Sequence, residues 1–339
     1  MTDIQRLATH ISLAHGNGGR RMRDLIDTLF AHYLHNPLLD TRADAACLPA
    51  MAGELIMTSD GFTVQPLEFP GGDIGSLAIH GTINDLAVAG AIPRYLSLTA
   101  ILEEGLEIAL LERLIKSMAT TARENNVAVI TGDTKVVRRG EGSGVYLVTT
   151  GIGSRRIAQT LGLDCIKTGD VILVSGPVGN HGIAVMLARE QFGLSGDVRS
   201  DAASVLPLTQ ALLDYPGLRF MRDPTRGGLA TVAHDISLDT GLGVRLLETA
   251  IPVDAAVRSV CDMLGYDPLY LACEGRVVAV IAADQADAAL RHWQTLAQGQ
   301  QAAIIGTVNA DHRQVILETT LGGERLLQQL EDDPLPRIC

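Results

Sequence analysis

The chain has 339 residues, 47% apolar and 19% charged, with a formal net charge of −12. That length supports two ordinary domains with real cores, and the acidic balance argues against nucleic-acid binding, which needs a basic surface. No apolar run is long enough to span a membrane and Met1–Arg6 lacks an export-signal pattern, so a cytoplasmic protein is expected, with neither nucleic acid nor membrane as partner.

Ala14-His15-Gly16-Asn17-Gly18-Gly19-Arg20-Arg21 is a compact Gly-rich loop ahead of a helix. Such loops let backbone N–H groups approach phosphate oxygens. It lacks the Gly-Lys-Ser/Thr ending of a P-loop, so alone it is a weak signal. Leu55–Thr58 reads as a strand that breaks at a Ser59-Asp60-Gly61 turn before Phe62-Thr63-Val64. Asp73–Ala89 carries apolar and small residues at helical spacing and reads as a buried helix containing Asn84-Asp85. A strand over Tyr95–Leu102 and an amphipathic helix over Ile108–Arg123 follow. Val127–Ile130 reads as a buried strand ending in a polar loop, Thr131-Gly132-Asp133-Thr134-Lys135, and Gly144–Gly151 as another strand. Polar residues around Ser154-Arg155-Arg156 mark a boundary.

The second half opens with the strand Val171–Val174 and a Gly-rich turn, Ser175–Gly182, feeding a helix over Ile183–Glu190. The turn fails the G-x-G-x-x-G fingerprint, so it gives no support to a Rossmann site. Helical patterns cover 201–213, 227–239 and 284–296, and strand patterns cover Val277–Ala282 and Ala303–Val308. Between them lie Arg222-Asp223-Pro224-Thr225-Arg226-Gly227-Gly228, a polar turn suited to an anion or to capping a helix through Asp223 or Thr225, and Ala272-Cys273-Glu274-Gly275-Arg276. Glu274 is either a base or a charged turn residue; His181 could contact a ligand but is more often structural after such a turn, and Cys273 reads as buried and inert rather than catalytic. This is an α/β (α+β) chain of two domains, residues 1–155 and 156–325, with a mobile tail over 326–339.

The five cysteines, Cys47, Cys165, Cys261, Cys273 and Cys339, include no C-x-x-C pair, which disfavours disulfides and structural zinc. Cys339 ends the chain after an acidic, proline-broken stretch that cannot continue a helix. A thiol on a loose tail is well placed to be loaded and carried into an active site, or is merely exposed. Prenylation is not expected, because the cysteine is last rather than fourth from the end and no polybasic run accompanies it. Asp60, Asp85 and Asp133 stand at element ends, where they suit magnesium–phosphate binding or ordinary caps and turns. Only three lysines occur, and Lys135 lies inside the Gly-Asp-Thr-Lys motif.

In combination these motifs resemble the HypE hydrogenase maturation family of the PurM-like (aminoimidazole ribonucleotide synthetase) superfamily. The residues that carry the likeness are His15–Gly19, Ser59-Asp60-Gly61, Thr82–Gly90, Gly132–Val136, Arg222–Gly228 and Pro336-Arg337-Ile338-Cys339. The resemblance implies an ATP-binding N-terminal domain that pairs into a dimer β-barrel, a C-terminal α/β domain and a flexible tail. It implies an ATP-dependent dehydratase. A carbamoyltransferase, HypF, would load Cys339, dehydration would leave a thiocyanate there, and a HypC–HypD complex would receive the cyano group for a NiFe-hydrogenase iron. ATP and Mg2+ would be held by Gly16, Asn17, Gly18, Asp60, Asn84, Asp85, Asp133 and Thr134, with Asp60, Asp85 and Asp133 nearest the metal. Cys339, Lys135 and Glu274 would do the chemistry, Lys135 at the transferred phosphoryl group and Glu274 as base.

Three other readings fit parts of the sequence. A selenophosphate synthetase would need a reactive cysteine and lysine near the N-terminus, whereas the first of each here are Cys47 and Lys116. A small-molecule synthetase or kinase of the superfamily leaves the terminal cysteine unexplained. A non-catalytic assembly scaffold would make the polar motifs structural turns.

Overall fold

The computed structural model describes residues 7–155, 160–189 and 196–331. They divide into two compact units, the first holding residues to Leu86 and from Ala91 to Arg155, the second holding Ala87–Gly90 and the described residues from 160 onward. Arg156, Glu190 and Pro336–Cys339 lie outside the described residues.

Among the described residues the first unit starts with a 3-10 turn (Leu13–Gly16), α1 (Arg20–Leu25), a π-helical turn (Ile26–Phe30) and α2 (Ala31–Tyr33). Then come β1 (Glu54–Phe62), the short pair β2 (Glu68–Phe69) and β3 (Gly72–Asp73), α3 (Ile74–Val88), β4 (Ile92–Glu103), α4 (Ile108–Glu124), β5 (Ala128–Val137) and β6 (Val145–Arg155). The main sheet runs β1-β6-β4-β5. β6 is antiparallel to both its neighbours, while β4 and β5 are parallel and need the crossover that α4 provides. Helix α3 buries Ile74, Leu77, Ile79, Ile83 and Leu86 completely. It can lie close on the sheet because glycines meet it: a Cβ on Gly151 would stand 2.7 Å from Thr82 Cγ2. On the other face the edge strand β1 leaves Leu55 59% and Met57 68% exposed.

The second unit comprises β7 (Val171–Val174), α5 (Asn180–Ala188), α6 (Leu206–Leu212), β8 (Leu218–Arg222), α7 (Gly228–Thr240), β9 (Gly243–Leu247) and α8 (Ala255–Leu264). It continues with β10 (Val278–Ile281), α9 (Ala283–Gln294), β11 (Ala303–Asn309), β12 (Val315–Glu318) and β13 (Glu324–Leu326). The seven-stranded sheet runs β13-β12-β9-β11-β7-β10-β8, antiparallel except where β12 meets β9. Both faces are covered. Ile172 and Val174 pack with Leu229, Ala233 and Ile236 of α7, while Leu173 packs with Leu208 and Leu212 of α6 and Trp293 of α9. This explains why Val171–Val174 is continuously apolar rather than alternating.

Three expectations need correction. The Ser59-Asp60-Gly61 turn does not exist: β1 pairs with β6 without a break from Glu54↔Arg155 to Phe62↔Leu147. The polar loop after Ile130 is likewise strand, with Thr131–Val137 paired to Ser97–Glu103. Gly132 serves close packing there, since a Cβ on it would lie 2.2 Å from Leu98 O. The helix expected over 201–213 begins only at Leu206, because Ser200–Ala203 are tied to other segments by the contacts described below.

Candidate functional site

In the first unit the strands aim the candidate groups. Paired residues of neighbouring strands point to the same face. Asp60 pairs with Thr149, and Thr149 hydrogen-bonds to Thr82 of α3 and donates to Ala78 O at 3.3 Å. Asp60 therefore belongs to the helix-covered face. Thr58, two residues earlier on that face, donates to Asp85 Oδ2 at 2.7 Å and so fixes the α3 carboxylate against β1. A Cβ on Gly81 would lie 3.9 Å from Asp60 Oδ2, so α3 passes directly beside Asp60. Asn84, on the same helix, is buried. His80 stands one turn before it, and burial pushes its imidazole pKa down to about 4.

Asp133 pairs with Thr99, on the opposite face, and Lys135 follows on that same side. Lys135 Nζ lies 2.7 Å from Asp133 Oδ2, and Asp133 Oδ1 accepts the Thr134 N–H at 2.8 Å. Thr134 turns inward and is buried. The pleat thus splits the three expected metal acids, setting Asp60 and Asp85 by α3 and Asp133 with Lys135 on the other face. Among the described residues no three His, Cys, Asp or Glu side chains gather as a metal cage. Mg2+ brought by nucleotide phosphates asks less, one or two carboxylates, and singly placed acids such as these fit that demand.

The Gly-rich loop packs on β5. A Cβ on Gly16 would meet Val136 N at 2.9 Å, so glycine is required for the loop to sit beside the Asp133–Lys135 segment. His15 is buried, and its Nδ1 accepts the Ser12 N–H at 3.0 Å, which leaves the ring holding the loop. A cavity of about 400 Å³ borders this loop and is lined by His15, Arg20, Arg21 and Asp24; Arg20 stands 3.6 Å from Asp24, and the two guanidiniums are suited to phosphate oxygens. A second cavity of about 150 Å³ is walled by Ile26, Phe30, Leu34 and Val129 and reaches Asp133 and Thr134. Mostly apolar walls with a few polar groups at one end suit a flat heterocycle carrying a polar chain.

In the second unit the three sequence motifs converge at one end of the sheet, after β7 and β8 and before β10. Cys273 N–H donates to Pro224 O at 3.0 Å and Gly179 N–H to Cys273 Sγ at 3.2 Å. Arg276 Nε donates to Pro177 O at 2.9 Å. Glu274, 2% exposed, lies inside this knot. Cys273 is fully buried, and desolvation pushes its thiol pKa far up, so it is inert. His181 is buried against Ser200 Oγ at 2.8 Å, a structural contact. The N-cap position of α7 is held by Gly227, at φ 69°, rather than by Asp223 or Thr225.

The chain leaves this region beside the same knot. Tyr270 Oη donates to Gln328 O at 2.7 Å, and a Cβ on Gly227 would lie 3.3 Å from Leu330 Cδ1. Sequence reasoning missed Thr58 and the 200–203 segment. Thr58 had a faint signal, a polar residue two before Asp60 on a strand; the segment had none.

Two α/β units in this order define a class. Residues 42–154 match the AIR synthase related protein N-terminal domain, and residues 167–318 match the C-terminal domain of the same family. The carbamoyl dehydratase HypE of Azotobacter vinelandii is 47% identical over 97% of each chain. A hydrogenase maturation protein HypE crystallised in complex with ATP superposes with a TM-score of 0.92 and 45% identity, over 96% of this chain and 99% of that one. The HypE of a HypE–HypF complex superposes at 0.79 and 40% identity, over 90% and 99%. The chain belongs to the HypE family of AIR synthase related proteins.

Proposed function

We propose that the chain is an ATP-dependent carbamoyl dehydratase that acts on its own Cys339. The observation that carries this reading is the near-full-length likeness to a HypE that binds ATP. A carboxamide oxygen is a poor leaving group. The S-carboxamide oxygen attacks the γ-phosphorus and ADP departs. A base then removes the N–H protons as the C–O bond breaks. The products are a thiocyanate on Cys339, ADP, phosphate and one proton, and the carboxamide oxygen ends in the phosphate.

The residues divide this work. Gly16, Asn17 and Gly18 offer backbone to the phosphates beside Arg20 and Arg21, and the apolar cavity by Thr134 takes the base. Asp60 and Asp85 would hold Mg2+ from the helix-covered face and Asp133 from the other, with Asn84 and Thr134 beside the nucleotide. That ion would neutralise charge on the β- and γ-phosphates. Lys135 stabilises the transferring phosphoryl group, and Glu274 takes the amide proton.

HypF would load the thiol, and a HypC–HypD complex would accept the cyano group. The exposed Leu55 and Met57 support a homodimer built on the open face of the first sheet, where a second copy would cover them. Among the described residues no helix is long and apolar enough to cross a membrane; we place the chain in the cytoplasm. The test is intact mass after carbamoyl loading, with and without Mg-ATP. A carbamoyl adduct that loses one water only with ATP supports the reading, and an adduct indifferent to ATP overturns it.

A further inference from the structure

We infer that Asp201 is a positioning residue for Glu274, the proposed base; the inference rests on that reading of Glu274. Asp201 belongs to no motif that sequence analysis singled out. It lies on an irregular strap, Ser200–Ala203, running directly over the Glu274 loop. The strap grips that loop at four points. Asp201 Oδ1 accepts the Glu274 N–H at 3.3 Å. Ala203 N–H donates to Glu274 O at 3.4 Å. Asp201 Oδ2 stands 3.5 Å from Arg276 Nε. A Cβ on Gly275 would lie 1.9 Å from Asp201 O, so only glycine lets the two backbones touch. Both backbone groups of Glu274 are thus bound to the strap.

The strap is itself anchored. Ser200 Oγ contacts His181 Nδ1 at 2.8 Å and accepts the Ala202 N–H at 3.0 Å, which fixes it to α5. Arg276 is held by Pro177 O and flanks Gly176. The Glu274 backbone is therefore fixed between the Gly-rich turn and the strap before any substrate arrives.

The choice of aspartate at 201 also has a physical cost. Its side chain is 1% exposed, and Oδ2 makes no hydrogen bond, having only the long ion pair to Arg276, itself 16% exposed. A buried carboxylate so weakly compensated is a poor stabilising device. What it does accomplish is to orient the peptide that carries Glu274 and to place a negative charge beside it. A base displaced by about 1 Å loses on the order of 10²-fold in rate.

The test is single-turnover conversion of carbamoylated full-length protein to the thiocyanate, followed by intact mass, in Asp201→Asn, Asp201→Ala, Glu274→Gln and the Asp201→Asn/Glu274→Gln double variant. ATP affinity is measured alongside. Asp201→Asn keeps the oxygen that accepts from Glu274, so the expected order of rates is wild type, then Asn, then Ala, with ATP affinity unchanged. The double variant should convert no more slowly than Glu274→Gln alone, because Asp201 acts through Glu274. Multiplied effects in the double variant would overturn the inference, as would an Asp201→Ala rate equal to wild type. A Glu274→Gln rate equal to wild type would instead remove Glu274 as the base, a distinct outcome that also withdraws the role of Asp201. Should Asp201→Ala fail to fold, the Asn series alone decides.

Discussion

The two units hold their chemistry in different ways. In the first, the candidate groups project from regular elements: Asp60 from β1, Asn84 and Asp85 from α3, Asp133, Thr134 and Lys135 from β5. Their directions follow from pleat and helical turn, so each is set by one local rule. In the second, Glu274 stands on a loop, and its position is the sum of hydrogen bonds from three other loops. The first arrangement suits binding a nucleotide in fixed geometry. The second makes a single group dependent on a network, so remote changes should reach it.

That contrast can be broken or sharpened by experiment. Lys135→Ala should cost the most: removing the cation from the transferring phosphoryl group is expected to slow dehydration by about 10³-fold, with Cys339 carbamoylation unchanged, read by intact mass. A slowing below tenfold would take Lys135 out of the chemistry. Gly275→Ala comes next. Its Cβ would lie 1.9 Å from Asp201 O, so the strap must lift and dehydration should slow by about 10²-fold. ATP affinity, which the proposed site assigns to the first unit, should not move; equal loss in both would dissolve the contrast.

A smaller effect concerns acid. Burial holds the His80 pKa at about 4 against its ordinary value of 6.5. The unfolded chain therefore binds a proton that the folded chain refuses between those values, and stability falls as pH drops through that window. The loss at pH 5 should be about 2 kcal/mol. Thermal unfolding at pH 7 and pH 5 measures it, and His80→Gln should flatten the difference. Thr58→Val is smallest. It leaves Asp85 without its 2.7 Å donor and should cost about 1 kcal/mol, seen as a few-fold weaker ATP affinity by calorimetry.

How much of this was legible in the sequence follows the same division. Helices α3 and α4 and strands β4 and β7 were readable because apolar spacing reports a buried face. Asp60 and Asp133 stand out in the sequence but read as turn residues, because Gly61 and Gly132 look like punctuation. In the fold Gly132 permits close approach to Leu98 within a strand instead. The split of the acids across two faces of the sheet was not legible, since it depends on register between strands far apart in sequence. The strap was hidden more completely. Ser200–Ala203 resembles the head of a helix, and distant partners, the Glu274–Arg276 loop and His181, keep it irregular.

The most direct test of the central claim is the intact mass of Cys339 after carbamoyl loading, with Mg-ATP and without it. The expected result is a carbamoyl adduct that is stable alone and loses one water when Mg-ATP is added. An adduct that keeps its mass under conditions where ATP is bound and hydrolysed would contradict it.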